Sequence, residues 1–219
     1  MDGTLLDSEK LWDIAIADLA ADLGFVLTHE LREATLGNSM TDALTKVFDA
    51  AGLPDSERDL PGRAAWLRSR VSALFKDGIP WMPGARETLD LIAAQGIAMA
   101  LVTNTERELA DEALATLGPD RFTVTVCGDE VEQGKPAPDP YLRAATLLGI
   151  DPADCLAVED SPTGTQAARA AGCPVLVVPS ATPVLGGVGR TQRQNLVGVT
   201  LDEVAAAFNG TIEHREDLR

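Results

Sequence analysis

Apolar residues in the first third of the chain recur at helical spacing. One helix face is formed by residues three and four positions apart: Leu11, Trp12, Ala15, Ile16, Leu19 and Leu23. Ser39, with Asp42 three positions later, resembles a capping box and predicts the start of another helix. A third stripe lies before Gly78 and comprises Leu67, Val71, Leu74 and Phe75. We predict that this part of the chain is all-helical.

After Pro83 the pattern changes to short apolar runs that alternate with helical segments. The predicted helices are 85–95, 106–117, 138–148 and 162–171, and the predicted strands are 97–102, 124–127, 155–158 and 175–178. Such alternation is typical of βαβ units and predicts an α/β fold with a parallel sheet. The Gly-, Thr- and Pro-rich stretch 180–195 predicts a loop, and the last ten residues predict a polar tail.

The charge balance excludes several classes of partner. The chain has 18 Lys and Arg against 34 Asp and Glu, a formal net charge of −16. This charge repels nucleic acid and anionic lipid, so we predict neither as a partner. A small anionic substrate is compatible with it only where a divalent cation and a local lysine reverse the field.

The cysteines and the absence of targeting signals predict a cytoplasmic protein. Cys127, Cys155 and Cys173 are odd in number and form no CxxC pair, which argues against a disulfide framework or a zinc site. No apolar run approaches the roughly 18 residues of a membrane span. The N-terminus lacks a basic region followed by an apolar stretch. No partner protein is evident.

Four short segments carry the candidate chemistry. They are MDGTLLDSE at the start, VTNT at 102–105, GKPAPDP at 134–140 and VEDSPTG at 158–164. All fall where strands end, and open α/β sheets bind ligands at the carboxyl ends of their strands. Alone, each segment also suits a helix cap or a solvated loop. In this order, with a helical insert after the first, they resemble the haloacid dehalogenase superfamily, in the branch that includes β-phosphoglucomutase and sugar-phosphate phosphatases.

The resemblance implies a fold and a reaction. The fold is a Rossmann-like parallel-sheet core at 1–6 and 79–219 with an all-helical cap at 7–78. The reaction is Mg²⁺-dependent hydrolysis of small phosphorylated metabolites through an aspartyl-phosphate. The sequence specifies neither the metabolite nor the oligomeric state.

The resemblance also assigns residues to the metal and to proton transfer. Mg²⁺ is expected to bind the backbone carbonyl of Asp2 and the side chain of Asp160, with Glu159 in the same acidic cluster. The Asp2 side chain is expected to act as the catalytic general acid and then as the general base.

Another set of residues is expected to bind phosphate. Thr103 and Asn104 are expected to hold phosphoryl oxygens at a helix start. Lys135 supplies a fixed positive charge that orients nucleophile and phosphate. In the cap, the neutral loop residues Asn38, Ser39 and Met40 are the candidates for contacting the leaving group of the substrate.

The sequence departs from the family pattern at its front. That pattern is an apolar strand ending in Asp, any residue, Asp, Gly, Thr, and Met1 occupies the "any residue" position. The nucleophilic Asp and the first, central strand are therefore missing from the 219 residues, and we expect the chain as given to be inactive. An internal start codon, a trimmed N-terminus and a naturally inactive binding protein are all open explanations. The first two are favoured because the remaining motifs are intact.

Three alternative functions remain open. One is a phosphotransferase, either a sugar-phosphate mutase or an enzyme of protein phosphotransfer, but Trp12 and Met40 stand where a mutase of the β-phosphoglucomutase type is expected to have His and a basic residue. Another is a haloalkanoate dehalogenase, which has no need of the acidic pair Glu159 and Asp160. The last is a catalytically dead binding protein of the same fold.

Overall fold

The computed structural model describes residues 1–36, 38–180 and 182–216, with side chains described as far as Asn209. The chain forms two compact units, one of Met1–Asp7 with Pro80–Arg219 and one of Ser8–Ile79. We call them the sheet unit and the helical unit. The assignment of a catalytic core to 1–6 and 79–219 and of a cap to 7–78 stays a prediction.

The helical unit contains four α-helices in its described part. They are α1 (Glu9–Asp22), α2 (His29–Thr35), α3 (Met40–Ala50) and α4 (Leu60–Lys76). Helix α1 packs against α4, and α3 packs against both α2 and α4. Leu19, Phe48 and Leu67 are fully buried between them. The side chain of Ser39 accepts a hydrogen bond from the Asp42 amide at 3.2 Å, so the predicted cap of α3 is confirmed.

The sheet unit alternates helices with parallel strands. Its elements are α5 (Ala85–Ala94), β1 (Ala100–Val102), α6 (Arg107–Leu117), β2 (Val124–Val126), α7 (Asp139–Leu148), β3 (Ala157–Glu159), α8 (Pro162–Ala171), β4 (Val175–Val177), β5 (Arg190–Gln192) and α9 (Leu201–Glu216). Strand β1 pairs with β2, and the second sheet has the order β3–β4–β5, all parallel. The predicted α/β class with a parallel sheet is confirmed.

Two elements of the sheet unit correct the sequence-based expectation. Strand β5 lies inside the stretch that was predicted as a loop. The sequence pattern did not indicate it, because its residues are polar and it lies at the edge of the described sheet, next to β4. Helix α9 packs on β4 and β5 and continues to Glu216, through most of the predicted polar tail. The rest of that tail, 217–219, lies outside the described residues.

The N-terminal segment forms a turn through its own main-chain hydrogen bonds, and the Met82 amide donates to its Leu5 carbonyl at 2.9 Å. The carbonyl of Met1 accepts from the amides of Leu5 at 2.8 Å and Leu6 at 3.2 Å, and the Gly3 amide donates to the Leu6 carbonyl at 2.9 Å. Gly3 has φ of 69°, in the left-handed region that favours glycine. Leu6 is fully buried and forms an isolated antiparallel β-bridge with Trp81. This turn holds the side chains of the first motif in one place.

Candidate active site

The ends of strands β1 and β3 meet at the ammonium group of Lys135. Lys135 Nζ donates to the carbonyl of Val102, the last residue of β1, at 3.0 Å. It also donates to Oε1 of Glu159, the last residue of β3, at 2.5 Å. Both partners of this ion pair are almost fully buried. The structure thus brings the third and fourth sequence motifs into contact, with a buried cation at the carboxyl ends of the strands.

Tyr141, in the first turn of α7, completes this cluster. Its hydroxyl donates to the same oxygen, Glu159 Oε1, and its ring lies under the ammonium of Lys135, 5.1 Å from Nζ to the ring centre. Burial, followed by the charge of Glu159, raises the pKa of the Tyr141 phenol well above its ordinary value, so the hydroxyl stays a donor. Sequence reasoning missed Tyr141, although it closely follows Lys135 in the chain.

The ion pair keeps Glu159 charged despite its burial. Burial alone raises the pKa of the Glu159 carboxyl, but the charges of Lys135 and of the N-terminal amino group, with the hydrogen bonds from Lys135 and Tyr141, outweigh it. The pKa is therefore held below its usual value. On the other side of the carboxylate, a Cβ added to Gly164 would come within 2.0 Å of Glu159 Oε2. Glycine at that position is what lets helix α8 begin so close to the carboxylate.

Asp160 follows β3 and is held by two hydroxyl groups. Thr4 Oγ1 donates to Asp160 Oδ1 and Ser180 Oγ donates to Asp160 Oδ2, both at 2.6 Å. Burial, followed by the charge of Glu159, raises the pKa of Asp160, and the two hydroxyl groups offset only part of that effect. Ser180 was not among the residues that the sequence suggested.

The Asp2 carboxylate accepts hydrogen bonds from residues that follow β1. Thr105 Oγ1 donates to Asp2 Oδ2 at 2.8 Å, and Thr103 Oγ1 donates to the same oxygen at 3.4 Å. Thr103 in turn accepts from the Thr105 amide at 3.1 Å. The structure therefore brings together Asp2 and Thr103, and it gives a role to Thr105, which lies in the second motif but was assigned none from the sequence.

Asn104 holds the main chain of Lys135 from both sides. Asn104 Oδ1 accepts from the Lys135 amide at 2.8 Å, and Asn104 Nδ2 donates to the Lys135 carbonyl at 3.0 Å. A Cβ on the neighbouring Gly134 would lie 2.9 Å from Asn104 Oδ1, which explains the glycine there. These bonds give Asn104 a positioning role. Its predicted contact with phosphate stays a prediction.

The residues around Asp160 fit a magnesium ion. A Cβ built on Gly3 would lie 2.2 Å from Asp160 Oδ2, so this carboxylate lies beside the Asp2–Gly3 peptide, whose carbonyl is the other predicted ligand. Nowhere in the described ranges are three or more His, Cys, Asp or Glu side chains grouped to hold a metal. Mg²⁺ does not require such a group, because it often takes one or two protein carboxylates and completes its shell with water and phosphate. Glu159 fits less well, because the ammonium of Lys135 already neutralises its charge, whereas Asp160 has neutral donors.

The predicted substrate residues of the cap lie in the helical unit. Ser39 caps α3, and the Asn38 amide donates to the carbonyls of Ala34 at 2.8 Å and Leu36 at 3.2 Å. Lys46 Nζ donates to Asn38 Oδ1 at 3.0 Å, so the loop that reads as neutral in sequence carries an ammonium group beside it. Contacts of Asn38, Ser39 and Met40 with substrate stay a prediction, and Gly37 of this loop lies outside the described residues.

Comparison with known proteins decides the family. Residues 1–178 match the family described as haloacid dehalogenase-like hydrolase. The chain belongs to this family. It is 34% identical over 174 residues to a phosphorylated carbohydrates phosphatase of Thermotoga maritima, covering 78% of the chain and 79% of the relative. It is 47% identical over 188 residues to protein CbbY of Rhodobacter capsulatus, covering 82% and 83%.

A solved structure agrees with this family assignment. CbbY from Rhodobacter sphaeroides in complex with phosphate superposes with a TM-score of 0.80 at 24% identity, covering 90% of the chain and 92% of that protein. At this identity the likeness shows the fold alone. The predicted family, fold class and type of enzyme, a phosphatase-type hydrolase, are confirmed. Within the described ranges, no helix combines the length and apolarity that a membrane crossing requires.

Proposed function

We propose that this haloacid dehalogenase-like hydrolase removes phosphate from small phosphorylated metabolites with the help of Mg²⁺. The observation that carries the proposal is the buried ammonium of Lys135, which lies where β1 and β3 end and is paired with Glu159 of the fourth motif. Because the chain has a formal net charge of −16, it needs a fixed positive charge in the site to bind a phosphate ester. The activity named for the Thermotoga maritima relative supports phosphorylated carbohydrates as the first substrate class to test.

Different residues of the sheet unit bind the phosphoryl group, bind the metal and position Lys135. Lys135 and Thr103 hold the phosphoryl oxygens and offset the charge that the attacking carboxylate brings near them. Asp160 and the Asp2 carbonyl would hold Mg²⁺, and a bound metal would supply positive charge beside the transferring group. Asn104, through both of its bonds to the Lys135 main chain, keeps the lysine loop in place.

Proton transfer is assigned to the Asp2 carboxylate. In the first step, the carboxylate that the family pattern places directly before Met1 attacks phosphorus, and the ester P–O bond breaks. Asp2 gives its proton to the leaving oxygen. In the second step, water attacks the phosphorus of the aspartyl-phosphate and Asp2 takes a proton from that water, while the bond from phosphorus to the aspartyl oxygen breaks and inorganic phosphate leaves. Thr105 and Thr103 orient the Asp2 carboxylate for both steps.

The test uses an extended form, in which an apolar strand-forming segment ending in Asp is joined directly before Met1. We expect this form to release inorganic phosphate from sugar and polyol phosphates in the presence of Mg²⁺ and to stop when the metal is chelated. Lack of release from every ester in such a panel would contradict the proposal. Interconversion of sugar-phosphate isomers faster than phosphate release would favour the mutase alternative instead.

A further inference from the structure

Tyr141 has no role in the reaction described above, yet its hydroxyl contacts the ion pair of Lys135 and Glu159. Tyr141 is the one tyrosine of the chain and stands in the first turn of α7. Its hydroxyl reaches Glu159 Oε1, the oxygen that also binds the Lys135 ammonium. The same side chain thus touches both members of a buried ion pair.

The two contacts of Tyr141 act on Lys135 in different ways. The ring supports the ammonium from below, at 5.1 Å from Nζ to the ring centre. The hydroxyl shares the negative charge of Glu159 Oε1, which weakens the pull of that oxygen on the lysine. A lysine held less tightly by its own carboxylate turns its ammonium more readily toward a phosphate.

The residues around Glu159 restrict rotation of its carboxylate. Its side chain is almost fully buried, and helix α8 closes against Oε2 at Gly164. Ser161 Oγ lies 3.5 Å from the same oxygen. Because the carboxylate cannot rotate away, a change at Oε1 passes directly to Lys135.

We propose that Tyr141 is a positioning residue, whose hydroxyl sets the balance of Lys135 between Glu159 and the phosphoryl group of the substrate. This inference rests on the proposed function, since it assigns to Tyr141 an effect on phosphoryl transfer through Lys135. Tyr141 itself touches neither the metal site at Asp160 nor the proton-transfer group of Asp2 in the contacts described above.

The kinetic test is Tyr141→Phe in the extended form, which keeps the ring and removes the hydroxyl. We expect kcat to fall about tenfold, as for loss of a hydrogen bond to a charged group. KM for the ester should change much less, because the lysine acts mainly on the transition state. The matched control is Thr146→Ala, which removes an exposed hydroxyl from the same helix and should leave kcat unchanged. An unchanged kcat in Tyr141→Phe would overturn the proposal, as would a fall matched by an equal loss of folded protein.

A second measurement does not depend on turnover. Labelling with ¹³Cζ-tyrosine gives one signal, since the chain has a single tyrosine. We expect this signal to shift when inorganic phosphate and Mg²⁺ are added to the 219-residue chain, and to stay fixed in Lys135→Ala. If no form releases phosphate from an ester, the proposed function fails and this signal alone decides the role of Tyr141. A signal that ignores phosphate in the unsubstituted chain would show that Tyr141 is not coupled to the site.

Discussion

Two neighbouring carboxylates at the end of β3 are stabilised by different partners. Glu159 has the ammonium of Lys135, whereas the hydrogen bonds to Asp160 come from the hydroxyls of Thr4 and Ser180. Neutral donors compensate a buried charge less well than a cation does. A bound divalent cation beside Asp160 would remove this cost. At the scale of single residues, Asp160 is therefore the stronger candidate ligand of the two.

The first prediction follows from this difference. Asp160→Asn should weaken Mg²⁺ binding about tenfold or more, equivalent to roughly 1.4 kcal/mol, because it removes the charge of the main side-chain ligand. Isothermal calorimetry of the 219-residue chain measures the affinity directly. The control is Asp154→Asn, an exposed acid of the same unit, which should bind Mg²⁺ normally. Equal affinity in the two variants would remove Asp160 from the metal site.

A second prediction separates the two roles suggested for Asn104. If this side chain holds the lysine loop, Asn104→Ala loses two hydrogen bonds of about 1 kcal/mol each, and the free energy of unfolding should fall by about 2 kcal/mol without any phosphate present. Urea unfolding in phosphate-free buffer measures this. Gln95→Ala, which truncates an exposed amide, should have almost no effect. An Asn104→Ala variant that is destabilised only relative to the phosphate-bound protein would instead support direct binding of phosphate.

At the scale of elements, the sequence predicted the long periodic helices and most strands but misjudged the elements that depend on tertiary contacts. Helix α2 is short, and its start is fixed by Thr28 Oγ1, which accepts from the Leu31 amide at 3.2 Å. Strand β3 was predicted at 155–158 but spans Ala157–Glu159. Its buried positions are Ala157 and Glu159, with Val158 between them partly exposed, so one buried face carries an acid that no apolar run could indicate.

Residues of the candidate active site that depend on tertiary contacts were also missed by the sequence-based prediction. Short motifs indicated Asp2, Lys135 and Asp160, because their residue types and order are specific. Thr105 and Ser180 act through hydroxyl groups that bond a carboxylate from another part of the chain. Nothing local marks such hydroxyls, since threonine and serine are also common in turns. Their roles follow from packing and could not be derived from spacing.

The end of β2 gives a prediction about thiol chemistry. Cys127 is fully buried there, and burial is the main reason that its pKa is raised to about 12, with Arg107 opposing and Glu130 adding to the shift. At pH 8 only about one thiol in 10⁴ is then ionised, and ionisation rises tenfold per pH unit below the pKa. Alkylation of the folded protein should therefore be slow at Cys127, should be faster at the partly exposed Cys155, and should accelerate as pH rises.

Mass spectrometry of the alkylated peptides provides the check. In denaturant, both cysteines should react at similar rates, because burial no longer suppresses the thiolate of Cys127. Labelling of Cys127 as fast as that of Cys155 in the folded protein at pH 8 would contradict the burial argument.

At the scale of the whole molecule, the described strands of the sheet unit form two sheets, and Lys135 links an end of one to an end of the other. Strand β1 pairs with β2 and β3 pairs with β4, and the opposite edges of β1 and β3 pair with no strand in the described ranges. Yet Lys135 Nζ hydrogen-bonds to residues at the ends of both strands. Met1, almost fully buried, leads into the turn that carries Asp2 and Thr4. We predict that one further parallel strand, joined before Met1, pairs with both edges.

The last prediction concerns the extended form, which supplies such a strand. Three or four aliphatic side chains buried between the helical layers would contribute about 1.5 to 3 kcal/mol each. Ordering the added residues costs about 1 to 2 kcal/mol each, so the net gain is smaller than that sum. Main-chain hydrogen bonds to the edges of β1 and β3 contribute about 1 kcal/mol each and offset that cost. We therefore expect the extended form to unfold at a higher temperature than the 219-residue chain and to gain phosphatase activity.

The matched control is the same extension ending in Asn instead of Asp, since this one change removes the nucleophile but leaves the strand. It should unfold at the same temperature as the Asp form and release no phosphate, because an amide cannot attack phosphorus as a carboxylate does. Equal thermal midpoints for the short and extended chains would refute the strand argument and leave the nucleophile argument standing. Phosphate release by the 219-residue chain itself would refute the nucleophile argument and leave the strand argument standing. Catalysis would then depend on a carboxylate already among these residues.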